Sequence, residues 1–307
     1  MIPGRRWTLN TVKYRAFVET VRYGSLTLAA EALNYTQSGV SHMIGALEKE
    51  YGFPLLFRSK SGVTPTENGK RVFDFCVRIV DTEDALNNTV CQINGVMIGK
   101  LRIGSFLSVL IRWMPSVVQR FSEQYPDIEL QLFEGEISEQ LEMLENGRID
   151  VGLFSPPAPE GYAFDPISRD EVVVILPRGH ELARKKRVSR QDLLQYQSSL
   201  IIQHESANED LRLLLGEEFT PVQNRYSVRS DSTIIALVAK GLGIAVAPRL
   251  LVGQETPELV IRSLETPCYR TLGLVIPEYK TSLPVIKCFR DVVRSLYGTE
   301  DAAQEPS

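Results

Sequence analysis

Residues 25–51 constrain the fold of this chain more than any other segment: a short alanine-rich helix, a tight break, then a second helix with a slim polar start. Ser25 stands where an N-cap belongs, ahead of Leu26 to Leu33 (LTLAAEAL), and the small Ala29 and Ala30 allow another helix to approach closely. Asn34-Tyr35 makes the break and Thr36 is a second N-cap. The helix that follows, TQSGVSHMIGALEKEYG, carries Val40, Met43, Ile44, Leu47 and Tyr51 as an apolar stripe at steps of three and four. Gln37, Ser38, Ser41, His42 and Gly45 lie opposite, small and polar. Before this pair, Leu9, Val12, Ala16, Phe17 and Val21 recur at helical spacing and Gly24 ends the segment.

A polar helix face is by itself ordinary and is usually just solvated. Braced by a short helix and a tight turn, it becomes a helix-turn-helix, whose second helix can enter a major groove and bond base edges and phosphates. Leu55 to Arg58, a Ser59-Lys60-Ser61-Gly62 turn and Val63 to Thr66 then read as a hairpin wing. Its Arg58 and Lys60 can reach phosphates or a minor groove, although surface cations serve solubility equally well. Thr66 caps a long helical stretch to about residue 94. There Val72, Ile79, Leu86 and Ile93 recur every seven residues with Cys76 and Val90 at offset four, and Glu83 is the one poor position. Flanked by Arg71, Asp74, Arg78, Asp81 and Asp84, the stripe is expected to be a dimerising seam rather than a buried monomeric face.

Charge supports a division of labour. The 307 residues carry a net −4. Residues 1–72 hold ten Lys and Arg against five Asp and Glu, leaving 24 basic and 33 acidic groups for the rest. A basic head on an acidic body suggests nucleic-acid contact through one end.

From Leu101 onward strand and helix patterns alternate. Strands are expected at 101–105, 128–133, 151–154, 172–176, 200–203, 244–247 and 272–276, with helices near 113–125, 139–146, 208–215 and 231–240. This ordering predicts mostly parallel sheets with helices on both faces, and ligands at the C-terminal strand ends. Polar groups, mostly hydroxyls, gather there: Ser105 and Ser108 after the first strand, Ser138 after the second, Ser155 after the third, Gln203 and His204 at another, and Ser230, Ser232 and Thr233 at a helix start. Each alone is an ordinary cap, but the repetition suits a small carboxylate or similar polar ligand.

Catalytic signatures are lacking. No nucleophile elbow, P-loop or HExxH occurs, and Gly241-Leu242-Gly243 follows a helix rather than a strand, so it reads as a helix end. Cys76, Cys91, Cys268 and Cys288 show no metal-ligand spacing and there are three histidines, so neither a metal nor a cofactor is expected. The N-terminus has no signal-peptide core and no apolar run is long enough to span a membrane; a cytoplasmic, reduced protein is expected. The rival reading is a solute-binding or enzymatic α/β protein with an incidental helical head.

The ordered Gly-Ser, Ala-Ala, Thr-Gln-Ser, Leu-Glu and Leu-Phe-Arg elements of FVETVRYGSLTLAAEALNYTQSGVSHMIGALEKEYGFPLLFRSKSGVTPTENG resemble the LysR-type transcriptional regulators. So do LRIGSFLSVLIRWMPSVVQRFSEQYPDIELQLFEG, LENGRIDVGLF and SDSTIIALVAKGLGIAVAP, so that the resemblance covers nearly the whole chain. It implies an α-rich winged helix-turn-helix (1–66), a dimerising linker helix and hinge (67–99), and a two-lobed, periplasmic-binding-protein-like α/β domain (100–307) that binds an effector and supports oligomers. The implied partners are double-stranded promoter DNA, a small-molecule effector, a second or further copy of the chain as a homodimer or homotetramer, and RNA polymerase. Ser25, Thr36, Gln37, Ser38, Ser41, His42, Arg58, Lys60, Thr64 and Thr66 are the expected DNA-binding residues. Ser105, Ser108, Glu136, Ile137, Ser138, Phe154, Gln203, His204, Ser230 and Thr233 are the expected effector contacts. Two departures stand out. Gly39 replaces the family's frequent Pro or Ala, at about 1 kcal/mol of helix propensity relative to Ala. No cysteine occupies the His204-Glu205-Ser206 segment where peroxide-sensing members carry one, which argues against redox sensing there.

Overall fold

The computed structural model describes residues 10–59, 62–93, 98–203, 214, 226–228, 230–253 and 256–299. Three helices open the chain: α1 (Thr11–Tyr23), α2 (Leu26–Leu33) and α3 (Gln37–Tyr51). Ser25 and Thr36 cap α2 and α3, their hydroxyls accepting from the backbone N–H of Leu28 and Gly39. Asn34 closes the intervening turn with φ 57°, a left-handed conformation that a short polar side chain tolerates. The core beneath them holds Phe17, Val18, Ala30, Val40, Ile44 and Leu47, with Met43 and Tyr51 half-buried at its margin. Val12, expected on the inner stripe of α1, is 43% exposed; Tyr14 and Val18 turn inward instead.

The wing pairs β1 (Leu56–Ser59) with β2 (Gly62–Pro65) in antiparallel register, Phe57 opposite Thr64. Val63 donates its N–H to the Gly24 carbonyl, tying the wing to the end of α1. Gly62 makes that approach possible: its φ is 130°, and a Cβ there would lie 2.9 Å from the same carbonyl.

Helix α4 (Glu67–Ile93) does not present one uniform seam. Phe73, Cys76, Val77 and Val80 are buried in the head, and Val72 and Ile79 are half-buried against it. Asp81, expected as a solvated flank, is also buried. Glu83 turns toward α1, where Thr11 and Arg15 bond it. Leu86 and Val90 remain exposed at 62% and 48%, as does Phe75.

The body is built on a seven-stranded sheet of β3 (Gly99–Ser105), β4 (Ile128–Glu134), β5 (Val151–Phe154), β6 (Tyr162–Pro177), β7 (Arg187–Val188), β10 (Ala245–Pro248) and β11 (Leu259–Pro277). The main path runs β10-β6-β11-β5-β3-β4, with β7 beside β11. The expectation of mostly parallel sheets needs correction. Strand β3 is parallel to β4 and β5, yet β6 and β11 form a long antiparallel ribbon, and β5 and β10 join it antiparallel. The two expected short strands at 172–176 and 272–276 are only the ends of this ribbon. Pro166 and the Thr266-Pro267 pair are absorbed as register shifts near Gly273 and between Ser263 and Cys268.

Because β6 and β11 pass through both lobes, each lobe builds its own core on them. In lobe I, Leu101, Ile103, Val151, Leu272 and Leu274 pack under α5 (Leu107–Arg112), α6 (Met114–Gln124) and α11 (Pro284–Tyr297). Helix α7 (Ile137–Glu145) covers a smaller cluster of Leu144, Ile149, Phe154 and Val275. In lobe II, Val173 and Ile175 point to one face with α9 (Asp231–Ala239), while Val174 and Leu176 point to the other beneath Leu182, Val188 and Leu193, the last on α8 (Arg190–Gln195). Both faces buried explains the unbroken VVVIL run. The short strands β8 (Ile202–Gln203) and β9 (Ser227–Val228) and helix α10 (Arg249–Val252) complete the described elements. The helix expected at 208–215 lies outside the described residues except for Leu214.

Candidate functional site

Two sites follow from this frame. The first is the outer face of the head. Thr36, Gln37, Ser38 and His42 are exposed at the start of α3. Thr36 Oγ1 accepts from the Gly39 N–H at 3.1 Å and lies 3.1 Å from Ser38 Oγ. A Cβ on Gly39 would come within 3.1 Å of that capping hydroxyl, which gives Gly39 a steric reason beside its propensity cost. The wing reaches back to the helix: Arg58 Nη1 donates to Ser41 Oγ at 2.8 Å. Glu48 supports the same corner, its Oε1 accepting from the N–H groups of Leu55 and Leu56. The resulting rim joins a polar helix start to a guanidinium one turn further on, itself 3.9 Å from the Glu48 carboxylate, and such groups are suited to phosphate.

The remaining expected DNA contacts are distributed unevenly around this rim. Thr64 is exposed on the wing, and Ser25 is half-buried as the α2 cap. Thr66 is buried; its hydroxyl donates to the Pro54 carbonyl at 2.8 Å and accepts from Gly69, so it caps α4. Lys60 lies outside the described residues.

The second candidate site is the junction between the lobes. Ser105 is fully buried and donates to the Leu153 carbonyl at 2.6 Å, and Phe154 is buried edge-on to Phe106. Ser108 is only 3% exposed, and Arg270 Nη2 donates to its Oγ at 2.9 Å. That guanidinium also bonds Asp170 through Nε at 3.0 Å and lies 5.2 Å from the Phe106 ring centroid. Asp170 in turn accepts from the Leu250 N–H, at 3.0 Å, on the lobe II helix α10. A chain of contacts therefore runs from lobe I through Ser108, Arg270 and Asp170 to lobe II. Beside it Arg112 of α5 donates to the Leu250 and Val252 carbonyls.

Glu136 and Glu139 form a capping box at the start of α7, so two carboxylates already occupy that N-terminus. Ile137 is half-buried against Phe154's cluster and Ser138 is exposed. Ser230 and Thr233 are exposed at the start of α9, where Ser230 makes no side-chain cap. Gln203 ends β8, and His204 lies outside the described residues.

Sequence reasoning missed Asp170 and Arg270. A signal was present: Arg270 shares its strand face with Leu272, Leu274 and Ile276, and a cation in line with three core positions requires a partner.

A winged helix-turn-helix joined by a long helix to a two-lobed α/β body defines the class, that of a ligand-responsive DNA-binding regulator. The family comparison states it more closely. The profile "LysR substrate binding domain" matches residues 94–297, and "Bacterial regulatory helix-turn-helix protein, lysR family" matches 12–70. The chain belongs to the LysR family of transcriptional regulators and is not an enzyme. It is 31% identical to the probable HTH-type transcriptional regulator LrrA of Synechococcus elongatus, over 93% of this chain and 97% of that protein. It is 29% identical to the HTH-type transcriptional regulator CbbR of Sinorhizobium medicae, over 91% and 90%. Among solved structures, a full-length OxyR variant from Pseudomonas aeruginosa superposes with TM-score 0.80 at 20% identity, covering 98% of this chain and 100% of that one. CbnR in complex with its target DNA gives TM-score 0.55 at 19% identity, covering 94% and 99%. These two likenesses show the fold. Among the described residues no helix is long and apolar enough to cross a membrane.

Proposed function

We propose that this regulator reads promoter DNA with the start of α3 and the wing, as a dimer or tetramer joined through α4, and that a small molecule held between the lobes controls it. The observation that carries the reading is Arg58 seated on Ser41, which brings a cation to the helix whose start exposes Thr36, Gln37, Ser38 and His42, with Glu48 3.9 Å from the same guanidinium. Thr64 and Ser25 extend the same surface, with Thr66 supporting it from within, and Lys60 is assigned as a further phosphate contact. The functional division is residues 1–66 for reading, 67–99 for joining and 100–307 for sensing. Exposed Phe75, Leu86 and Val90 on α4 are the surface offered to a second copy.

Effector recognition is assigned to Ser105, Ser108, Glu136, Ile137, Ser138, Phe154, Gln203, His204, Ser230 and Thr233, with fully buried Ser105 acting through the Leu153 carbonyl it bonds. A small carboxylate is the ligand class we favour, with Arg270 as its cation. Asp170 already answers that cation, so an entering carboxylate exchanges partners instead of adding charge. RNA polymerase is the further partner.

The test uses duplexes selected from a random pool by the full chain. Ser41→Glu places a carboxylate against the phosphates, and selected-duplex binding in a gel shift is expected to fall at least 100-fold with an unchanged melting temperature. Wild-type affinity in that variant overturns the assignment of α3 to the groove.

A further inference from the structure

Lys280 is the most deeply buried charged side chain among the described residues, at 2% exposure, and neither reading DNA nor binding an effector accounts for it. It sits in a one-turn helix at Glu278–Lys280, between β11 and α11. Its Nζ lies 2.8 Å from Asp150 Oδ1, within the body, and 2.9 Å from Asp81 Oδ2, on α4. Asp150 is held from its other side by Arg102, whose Nε and Nη2 donate at 3.0 Å each. Tyr279 adds a phenol that donates to Asp81 at 2.9 Å, with the Arg78 guanidinium over its ring. Two cations and two carboxylates thus alternate across the seam between linker helix and body.

A second strand of contacts crosses the same seam. Arg22, at the end of α1, donates from Nε to the Asn146 carbonyl at the end of α7. Gly147 accommodates the guanidinium: its φ is 61°, and a Cβ would lie 2.5 Å from Arg22 Nη2 and 3.2 Å from Val77 Cγ1. Head, linker helix and lobe I therefore meet at one place.

We propose that Lys280 is a positioning residue for DNA reading: it holds the reading head at one angle to the sensing body by bridging Asp81 and Asp150. The physical argument is about specificity more than strength. A buried ionic chain adds little net stability over a well-packed apolar contact, but it penalises every misaligned arrangement. An apolar seam tolerates sliding. Rotating α4 by one residue, about 100°, removes Asp81 from Lys280 and leaves a buried ammonium facing only half of its compensation. The seam therefore accepts one docking angle; two heads joined through α4 keep their own spacing, and in a tetramer assembled through the bodies that angle sets the separation between the two pairs of heads. This inference rests on the proposed reading of DNA by the head, and the test separates the two.

The full chain is labelled with spin probes on non-natural residues at exposed Glu31 and Arg120, diluted with unlabelled chain, and compared as wild type, Lys280→Met, Lys280→Arg and Asp81→Asn. Asp81→Asn leaves Lys280, Asp150 and Arg102 together in the body, so it reports the seam even where Lys280→Met fails to fold. The expected result is one narrow distance in wild type and Lys280→Arg, and a distribution at least twice as broad in Lys280→Met or Asp81→Asn. On duplexes selected by the wild-type chain, inserting five base pairs between the sites of two α4-joined pairs is expected to weaken wild-type binding at least tenfold. For the two broadened variants the expected penalty is under threefold, with binding to the site of one pair unchanged. Narrow wild-type-like distances in both Lys280→Met and Asp81→Asn overturn the positioning role. Broadened distances with no selectable duplex uphold it and count against DNA reading by the head.

Discussion

Replacing Arg270 by Met tests whether the two lobes are joined by charge as described. Arg270 Nη2 lies 2.8 Å from Asp170 Oδ2, and the Asp170 side chain is only 7% exposed. Removing the guanidinium leaves that carboxylate with the Leu250 N–H as its remaining described donor. Breaking a buried pair from one side costs about 3–5 kcal/mol. Arg270 keeps 21% of its side chain in water and the Leu250 bond survives, so the lower end, about 3 kcal/mol, applies here. For a body of this size that lowers the melting temperature by roughly 6–12 °C, at about 2–4 °C per kcal/mol. Adding Asp170→Asn removes the orphaned charge, and the double variant is expected to recover about half of the loss, giving strong non-additivity in a double-mutant cycle. Calorimetry on the wild-type full chain, both single variants and the double variant measures this directly. A melting temperature for Arg270→Met within 2 °C of wild type, or strictly additive losses, refutes the claim that this pair carries the junction between lobes.

Three further outcomes follow from particular contacts. Gly69→Ala sets helix propensity, worth about 1 kcal/mol in favour of Ala, against a Cβ that would sit 2.1 Å from the Leu55 carbonyl. The obstacle is backbone, so the variant is expected to be destabilised by thermal melting despite its better helix former. Asp150→Asn probes pH. Burial pushes the Asp150 carboxyl up, but Lys280 and Arg102 outweigh burial and hold it well below the usual range, so its stabilisation is present above about pH 4 and fades as acid protonates it. The deficit of Asp150→Asn against wild type in urea titrations is therefore expected to be largest near pH 7 and to narrow below pH 4; a constant gap contradicts the sign. Leu86→Glu, at a site 62% exposed in one chain, is expected to leave secondary structure intact while shifting sedimentation toward the monomer.

The head was legible because its signals are local. Ser25, Asn34 and Thr36 each satisfy backbone groups within a few residues, and the stripe of α3 repeats within one helix. The ribbon of β6 and β11 was not, since its pairing joins residues such as Asp170 and Arg270 from distant parts of the chain. Strand propensity read window by window stops at Pro166 and Pro267, whereas a ribbon that pairs along both lobes accommodates an interruption as a bulge. The polar site suffered most. Serines at strand ends were visible as a pattern, yet Ser105 and Ser108 are spent on Leu153 and Arg270, partners no spacing rule could supply.

Helix α4 shows the same principle on a single element. Periodicity measures how apolar residues are arranged around a helix, but it cannot tell which neighbour covers each sector. Here two neighbours divide the surface between them and leave a third sector open: the head takes Phe73, Cys76, Val77 and Val80, lobe I takes Asp81 through Lys280, and Leu86 and Val90 are left over. Glu83, read as a flaw in a continuous seam, marks where the first sector ends, because Thr11 and Arg15 use it to fasten α1. An apolar residue at that position would lengthen the exposed stripe while releasing Arg15 from one of its two carboxylates. The interruption thus separates holding the head from offering a surface to a second chain. The two tasks can therefore be altered independently, by changes at Glu83 and at Leu86.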